Sequence, residues 1–180
     1  IIGGCCNTIC NYSCESSIIG GQYNCITCSR QSTVIGGCDN RIYYNSQFSS
    51  VIGGCGNEID NSEYSSILGG CQNCITDNSE YSSIIGGCRS CITYNSCYSS
   101  ILGGCCNRMY NSDYSSILGG CCNRQEYSDY ASILGGYCNC IWGGDCSSII
   151  GGYGNRLCGS YYGDDSRGSS IVGGNRSEEH

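Results

Sequence analysis

The sequence predicts an all-β protein, a parallel β-solenoid of about ten coils with 16 or 17 residues in each. Two observations lead to this prediction. The Gly-Gly pairs that recur once in each repeat begin at positions 3, 20, 36, 53, 69, 86, 103, 119, 135, 151 and 173. Around them a phrase such as Asn-Ser-Glu-Tyr-Ser-Ser-Ile-Leu-Gly-Gly-Cys (61–71) returns almost unchanged at 78–88. A repeat of this length is typical of stacked architectures, in which each unit buries its surface only against the next copy.

The composition agrees with tight stacking and excludes several partners. The 180 residues include 29 Gly and 21 Cys but no Pro, and Pro would remove N–H groups that a parallel ladder needs. The net charge is −7, so we expect no nucleic-acid partner, because binding to phosphates requires a basic stripe. No run of 18 apolar residues occurs, and we therefore expect no membrane span.

Each repeat reads as two short strands joined by turns. Residues 71–76 alternate between constant and variable positions, which predicts a strand with Cys71, Asn73 and Ile75 pointing inward. Residues 65–68 predict a second strand. Gly-Gly and Asn-Ser supply the turns, since both tolerate left-handed backbone angles.

The one-residue difference in coil length has a predicted location. Comparing 56–62 with 72–79 puts the extra residue between Ile59 or Ile75 and the following Asn-Ser. We expect one solenoid domain at 1–174, an irregular loop at 157–168 and a tail at 175–180. The chain begins inside a repeat, so we expect a processed protein or a piece of a longer one.

Asn and Cys recur in columns. The Asn column predicts side chains that hydrogen-bond from coil to coil, with ligand-binding amides as the alternative. Ser90 is its one substitution, and its members are Asn7, Asn24, Asn40, Asn57, Asn73, Asn107, Asn123, Asn139 and Asn155.

One Cys column follows Gly-Gly, and it reads as small buried hydrophobes or as disulfides between coils. Its members are Cys5, Cys38, Cys55, Cys71, Cys88, Cys105 and Cys121, with a second column at Cys106, Cys122 and Cys138.

Cys74 and Cys91, on adjacent coils, are the best candidates for a disulfide crosslink. Metal binding is the alternative for the cysteines. We predict no metal site, because residues 25–28 form a single CxxC where zinc sites usually need two.

The Ile-Ile pairs present two aliphatic columns. Neighbours in an extended strand face opposite sides, so one column would lie inside and the other outside, where a second copy would cover it. The alternative is a bend that tucks both inward. We predict an assembly interface at Ile67, Leu68, Ile84, Ile85, Ile101, Leu102, Ile117 and Leu118.

An aromatic column precedes Ser-Ser in the middle of the chain. It reads either as stacking support or as a flat recognition surface. The candidate binding face consists of Tyr64, Tyr81, Tyr98, Tyr114 and Tyr130, with Phe48 in the same place.

Catalytic signatures do not emerge. The sole His is His180, at the end of the sequence, so no Ser-His or Cys-His dyad is expected in the solenoid. The Gly pairs lack the Lys-Ser/Thr that follows a phosphate-binding loop. We therefore predict a protein that is not an enzyme and uses no cofactor.

The phrase Ser-Ser-Ile-Ile-Gly-Gly-x-x-Asn resembles the β-roll heads of trimeric autotransporter adhesins and the Ser-Ile-Ile-Gly-Gly repeat proteins of giant viruses. The Cys-rich repeat with its Tyr row also resembles insect antifreeze solenoids, although Thr27, Thr76 and Thr93 form no row. The first two resemblances imply a surface or particle protein, and the third implies ice as a ligand.

The predicted function is structural. We expect a rigid, Cys-rich rod that self-associates into a fibre, spike or surface layer, outside the cell or on a particle. Ice binding through the Tyr column is the alternative, and adhesin-like binding of a host-surface ligand is the third hypothesis.

Overall fold

The computed structural model describes residues 1–159, 168–176 and 178–179, and it confirms a parallel β-solenoid. The described strands, in chain order, are β1 (Thr8–Cys10), β2 (Ser17–Ile19), β3 (Cys25–Thr27), β4 (Thr33–Ile35), β5 (Arg41–Tyr43), β6 (Ser50–Ile52), β7 (Glu58–Asp60), β8 (Ser66–Leu68), β9 (Cys74–Ile75), β10 (Ser83–Ile85), β11 (Cys91–Thr93), β12 (Ser100–Ile101), β13 (Arg108–Tyr110), β14 (Ser116–Ile117), β15 (Arg124–Glu126), β16 (Ser132–Ile133), β17 (Cys140–Trp142), β18 (Ser148–Ile149), β19 (Arg156–Cys158), β20 (Ser170–Ile171) and β21 (Glu178–Glu179).

The strands form two parallel sheets. Odd-numbered strands make one sheet of eleven, and even-numbered strands make the other sheet of ten. Each strand pairs with its equivalents one coil before and one coil after, so that Ile67 lies in register with Val51 and Ile84. A third line of parallel bridges runs through the residue after Gly-Gly. Every coil therefore stacks residue upon equivalent residue, as the repeat predicts.

The core is a thin double column of aliphatic side chains. One half is the first residue of each Ile-Ile pair, and the other half is the central residue of the odd-numbered strands. Ile67 and Ile75 represent the two halves, and neither side chain has any exposed surface. No coil could bury these side chains alone, so stacking supplies the hydrophobic stabilisation.

Asn side chains hold the coils together at one corner. The Asn57 Oδ1 accepts from the backbone N–H of Asn73 at 3.1 Å, and the Asn73 Nδ2 donates to the carbonyl of Gly86 at 3.2 Å. The coil-to-coil bonds thus join side chain to backbone and not amide to amide. Ser90 preserves the connection, because its hydroxyl accepts from the N–H of Asn107 at 3.3 Å.

Two buried Ser columns perform the same task at the other corner, and sequence reasoning missed them. The Ser49 Oγ accepts from the N–H of Ser65 at 3.1 Å, and the Ser65 Oγ donates to the carbonyl of Ser79 at 3.1 Å. These hydroxyls satisfy backbone groups that would otherwise be buried without partners, which is costly.

The second Gly of each pair is required by close approach. Gly70 has a φ of 82°, and a Cβ there would overlap the Asn73 side chain and the carbonyl oxygen of Gly87. Any side chain would separate the coils at the Asn corner.

The turn that precedes the Ser of each Asn-Ser, such as Ser62 or Ser79, absorbs the difference in coil length. This is where the sequence predicted the extra residue. The 16-residue coil uses one left-handed residue there, Asn61. The 17-residue coil uses two, Asp77 and Asn78. The extra residue therefore changes only this turn and leaves both sheets in register.

One expectation about the strands needs correction. Cys71 and Asn73 do not share an inward face, because Gln72 between them has a left-handed φ of 55° that breaks the alternation; the strand begins at Cys74.

The division into a solenoid domain, a loop and a tail remains a prediction. Within the predicted loop, Leu157–Cys158 belong to β19, and residues 160–167 lie outside the described residues. Within the predicted tail, β21 pairs with β19.

Gln125 is a polar interruption of the core that can be tested. It has no exposed surface and lies in register between Met109 and Ile141. Its Nε2 donates to the carbonyl of Ser116 at 3.2 Å, but its Oε1 accepts no hydrogen bond from the described residues. A buried unsatisfied polar atom costs about 1–3 kcal/mol.

We therefore expect Gln125→Ile to raise the free energy of unfolding by about 1–2 kcal/mol, because it removes this desolvation penalty. Denaturant titration followed by circular dichroism measures the change. Met109→Ile, an apolar exchange in the same column, is the control and should change stability by less. A lower midpoint for Gln125→Ile would contradict the interpretation.

Candidate functional site

The outward side of the ten-stranded sheet carries a continuous aliphatic column. We define it by the second residue of each aliphatic pair from Ile18–Ile19 to Ile149–Ile150; its members are Ile19, Ile35, Ile52, Leu68, Ile85, Leu102, Leu118, Leu134 and Ile150. Each of these side chains is 40–49% exposed. The column extends over nine successive coils, and this length distinguishes it from scattered surface hydrophobes.

The structure divides the predicted assembly residues into two groups. Leu68, Ile85, Leu102 and Leu118 belong to the exposed aliphatic column. Ile67, Ile84, Ile101 and Ile117 have no exposed surface and belong to the core, so they cannot contact a partner. Extended backbone places the two residues of each pair on opposite faces, and the alternative of two inward columns is wrong.

The same face carries no charge in the described strands. Beside the aliphatic column lies a column of Ser and Thr, represented by Ser66, and the even-numbered strands contain no Asp, Glu or Arg. The chain as a whole has a net charge of −7. Acidic side chains lie elsewhere, for example Glu58 and Asp60 in β7. The ten-stranded sheet is thus an uncharged, weakly apolar face on an acidic rod.

An aromatic column borders this face. Its members are Phe48, Tyr64, Tyr81, Tyr98, Tyr114 and Tyr130. Successive ring centroids lie 4.7–5.0 Å apart with interplanar angles of 1–5°. Exposed and buried side chains alternate along the row, so Tyr64, Ser66 and Leu68 all reach the surface while Ser65 and Ile67 are buried.

The stacking decides what this column offers to a ligand. Each inner ring has both faces covered by its neighbours, so the column presents ring edges and hydroxyl groups. A ligand that needs a free ring face, such as a sugar or a base, finds one only at the two ends of the stack. Partial desolvation and the adjacent Tyr64 and Tyr98 raise the pKa of the Tyr81 hydroxyl above its ordinary value, so this hydroxyl, like an ordinary tyrosine, is uncharged at neutral pH.

A column of cysteines, which we call the thiol column, lies directly after the Gly-Gly pairs, at the corner of the coil that we call the Gly-Gly corner. We define it as Cys38, Cys55, Cys71, Cys88, Cys105 and Cys121, which are connected by successive parallel bridges. These cysteines are free; Cys55 is exposed and the other five are partly exposed, so of the two readings of this column the one as buried hydrophobes is wrong. The residue after each of these cysteines has a left-handed backbone. The side chain that points inward is therefore that of the Asn that follows, and not that of the Cys.

A disulfide joins Cys74 to Cys91, with Cα atoms 4.7 Å apart. These residues are paired in register on β9 and β11, in the outward column of the eleven-stranded sheet. Within the described residues, no three His, Cys, Asp or Glu side chains come together so as to hold a metal ion. No helix in the described part of the chain has the length and hydropathy to cross a membrane.

No family model matches the chain, and a comparison with curated proteins finds no match. The resemblance to adhesin heads, viral repeat proteins and antifreeze solenoids is therefore one of sequence pattern. The function has to be argued from the aliphatic, aromatic and thiol columns.

The Cys74–Cys91 bond makes a defined contribution to stability that can be measured. It closes a loop with a sequence separation of 17. A closed loop of that size stabilises a fold by about 3 kcal/mol in the chain-entropy account.

We expect Cys74→Ser/Cys91→Ser to lower the free energy of unfolding by about 2–3 kcal/mol in the absence of reductant. Denaturant titration gives the value. In the presence of reductant the variant and the parent should unfold alike. A difference of the same size in both conditions would show that the sulfurs act by packing and not by crosslinking.

Proposed function

We propose that the protein is a non-enzymatic structural protein, a rigid solenoid rod that self-associates laterally through the aliphatic column into a fibre, spike or surface layer. The observation that carries this proposal is the unbroken exposure of nine aliphatic side chains along one uncharged face. A second copy offers a surface of the same repeat, flat shape and chemistry. We place the assembly outside the cell or on a particle surface, where a Cys-rich protein is commonly oxidised.

The size of the column supports association that depends on concentration. Burying an Ile or Leu side chain completely is worth about 1.5–3 kcal/mol. At the observed exposure each member retains roughly 1 kcal/mol of that gain, so the column of one copy offers about 9 kcal/mol and the two columns of a face-to-face pair offer about 18 kcal/mol. Association itself costs about 4–15 kcal/mol in lost freedom of motion. The gain from a full contact therefore exceeds the cost, and contacts with further copies favour larger assemblies.

The distribution of charged residues favours association through the ten-stranded sheet. Two acidic rods repel each other most where carboxylates meet, and the even-numbered strands contain none. The Ser and Thr column beside the aliphatic residues keeps its hydrogen-bonding groups without adding charge. If two copies pack with their ten-stranded sheets face to face, they therefore meet where electrostatic repulsion is smallest.

Leu68→Glu/Leu102→Glu tests the interface. Both residues are exposed and lie two coils apart, so the fold should tolerate the change. We expect the parent to form dimers or larger species, by light scattering and sedimentation, and the variant to need at least tenfold higher concentration, because association would bury unpaired charge. Reductant should leave this difference unchanged.

Gln22→Glu/Gln72→Glu is the matched control, since it adds the same charge at exposed positions of the Gly-Gly corner. It should associate like the parent. A parent that remains monomeric at high concentration, or a control that loses association as the variant does, would exclude the aliphatic column as the interface.

Ice binding through the aromatic column is the second candidate. Parallel stacked rings at a regular spacing of 4.7–5.0 Å provide an uncharged and repetitive row of ring edges, which suits a crystalline ligand. Under this hypothesis the parent produces thermal hysteresis.

Tyr81→Ala/Tyr98→Ala should then lose more than half of the hysteresis. Tyr12→Ala/Tyr23→Ala is the matched control, because these exposed residues also have a left-handed backbone but lie outside the column. The control should retain the parent's activity. Absence of hysteresis in the parent would dismiss this candidate and leave the structural proposal standing.

A further inference from the structure

The thiol column has a geometry that favours bonds between adjacent coils. Each bridge pairs one cysteine with the next, from Cys38 to Cys121 without interruption. The backbone N–H of each donates to a Gly carbonyl of the following coil at 2.9–3.0 Å, as in Cys55 to Gly70. The six cysteines therefore occupy equivalent positions with equivalent spacing.

The chain itself shows that such spacing accepts a disulfide. Cys74 and Cys91 are paired in register between the same coils as Cys71 and Cys88, and they are bonded with Cα atoms 4.7 Å apart. Disulfides in proteins span Cα distances of about 4.4–6.8 Å, and parallel neighbours in a sheet lie about 4.8 Å apart. Every adjacent pair of the thiol column thus meets the distance requirement.

Access is also provided. Cys55 is exposed and the other five cysteines of the column are partly exposed, so a small reagent can approach them from solvent. Near one end the column is doubled. The Cys105 Sγ lies 3.3 Å from the Cys106 Sγ, and the Cys121 Sγ lies 3.4 Å from the Cys122 Sγ. These two cysteines of each close pair are consecutive in the sequence, and consecutive Cα atoms lie only about 3.8 Å apart, below the range that disulfides span, so we expect no bond within such a pair.

We propose that the thiol column is a modification site for small-molecule disulfides, which convert it by thiol–disulfide exchange into three rungs: Cys38–Cys55, Cys71–Cys88 and Cys105–Cys121. The number of thiols in the column and their order along it determine the pairing. Six thiols in a line, each bonded only to a neighbour in an adjacent coil, can all be bonded in one way only. Gln22 and Tyr137 terminate the line at its two ends.

The chemistry balances without a metal or cofactor. One cysteine thiolate attacks a small disulfide RSSR, forms the mixed disulfide Cys–S–SR and releases RS⁻. The thiolate of the neighbouring coil then attacks the cysteine sulfur of that mixed disulfide and expels the second RS⁻. Two protein thiols are oxidised to one disulfide, RSSR is reduced to two RSH, and the two thiol protons pass to the released thiolates.

The second column behaves differently under the same rule. Cys106, Cys122 and Cys138 are three, so neighbour pairing leaves one of them unbonded. That thiol remains exposed on the corner and is available to the reagent as a mixed disulfide. The inference is independent of lateral association, because every bond lies within one chain.

Oxidised glutathione, applied to the fully reduced and folded chain at about pH 8.5, is the test, since an ordinary cysteine is half ionised there. Free thiols are then blocked, and the crosslinked peptides are identified by mass spectrometry. We expect the three stated rungs at the end point, with no glutathione retained on the thiol column. Closure of Cys74–Cys91 in the same sample is the internal positive control.

Cys38→Ser tests the counting argument. It leaves five thiols in the column, so one of the five must end as a free thiol or a glutathione adduct. Cys14→Ser removes an exposed cysteine that lies outside the column, and it should still give all three rungs. Stable adducts throughout the column, Cys105–Cys106 bonds, links between chains, or no reaction while Cys74–Cys91 closes would each overturn the proposal.

Discussion

The parallel hydrogen-bond ladder between coils is the constraint on which the rest of this structure depends. It requires that each coil repeat the backbone path of the one before, so every side chain has its own copy as a neighbour. At the corners the strands end, and buried backbone groups need other partners. Asn73 and Ser65, with their equivalents, provide them. Gly70 then follows as a necessity, because the coils approach too closely there for a Cβ.

The fold was predictable because its signal is repeated ten times. The Gly-Gly spacing predicts the coils, and comparing long with short coils locates the extra residue where Asp77 and Asn78 form the longer turn. The direction of Cys71 was predicted wrongly for a local reason. The left-handed backbone at Gln72 breaks the alternation of faces. Gln does not indicate such a conformation, although Gly56 and Gly154 at the equivalent position of their coils do.

The surfaces were predictable in part. Alternation indicates that one aliphatic column faces outward, but the sequence does not say which, because both columns contain similar residues. Burial decides it: Ile67 is in the core and Leu68 is outside. The inner Ser columns escaped notice since Ser is usually read as a turn or surface residue. Their role appears only when Ser49 and Ser65 are seen to bond across coils.

The turn that holds Asn61 in one coil and Asp77–Asn78 in another has a consequence for how such a chain can be altered. It lies outside both sheets, and its own contacts between coils, such as the Asn78 N–H to the Asn61 carbonyl at 2.8 Å, leave the following Ser in register, so a change in its length does not propagate. Peptides grafted there would project from one edge of the rod at intervals of a single coil. The molecule is thus a scaffold on which epitopes or binding peptides can be displayed at chosen coils, at spacings of about 4.8 Å and its multiples.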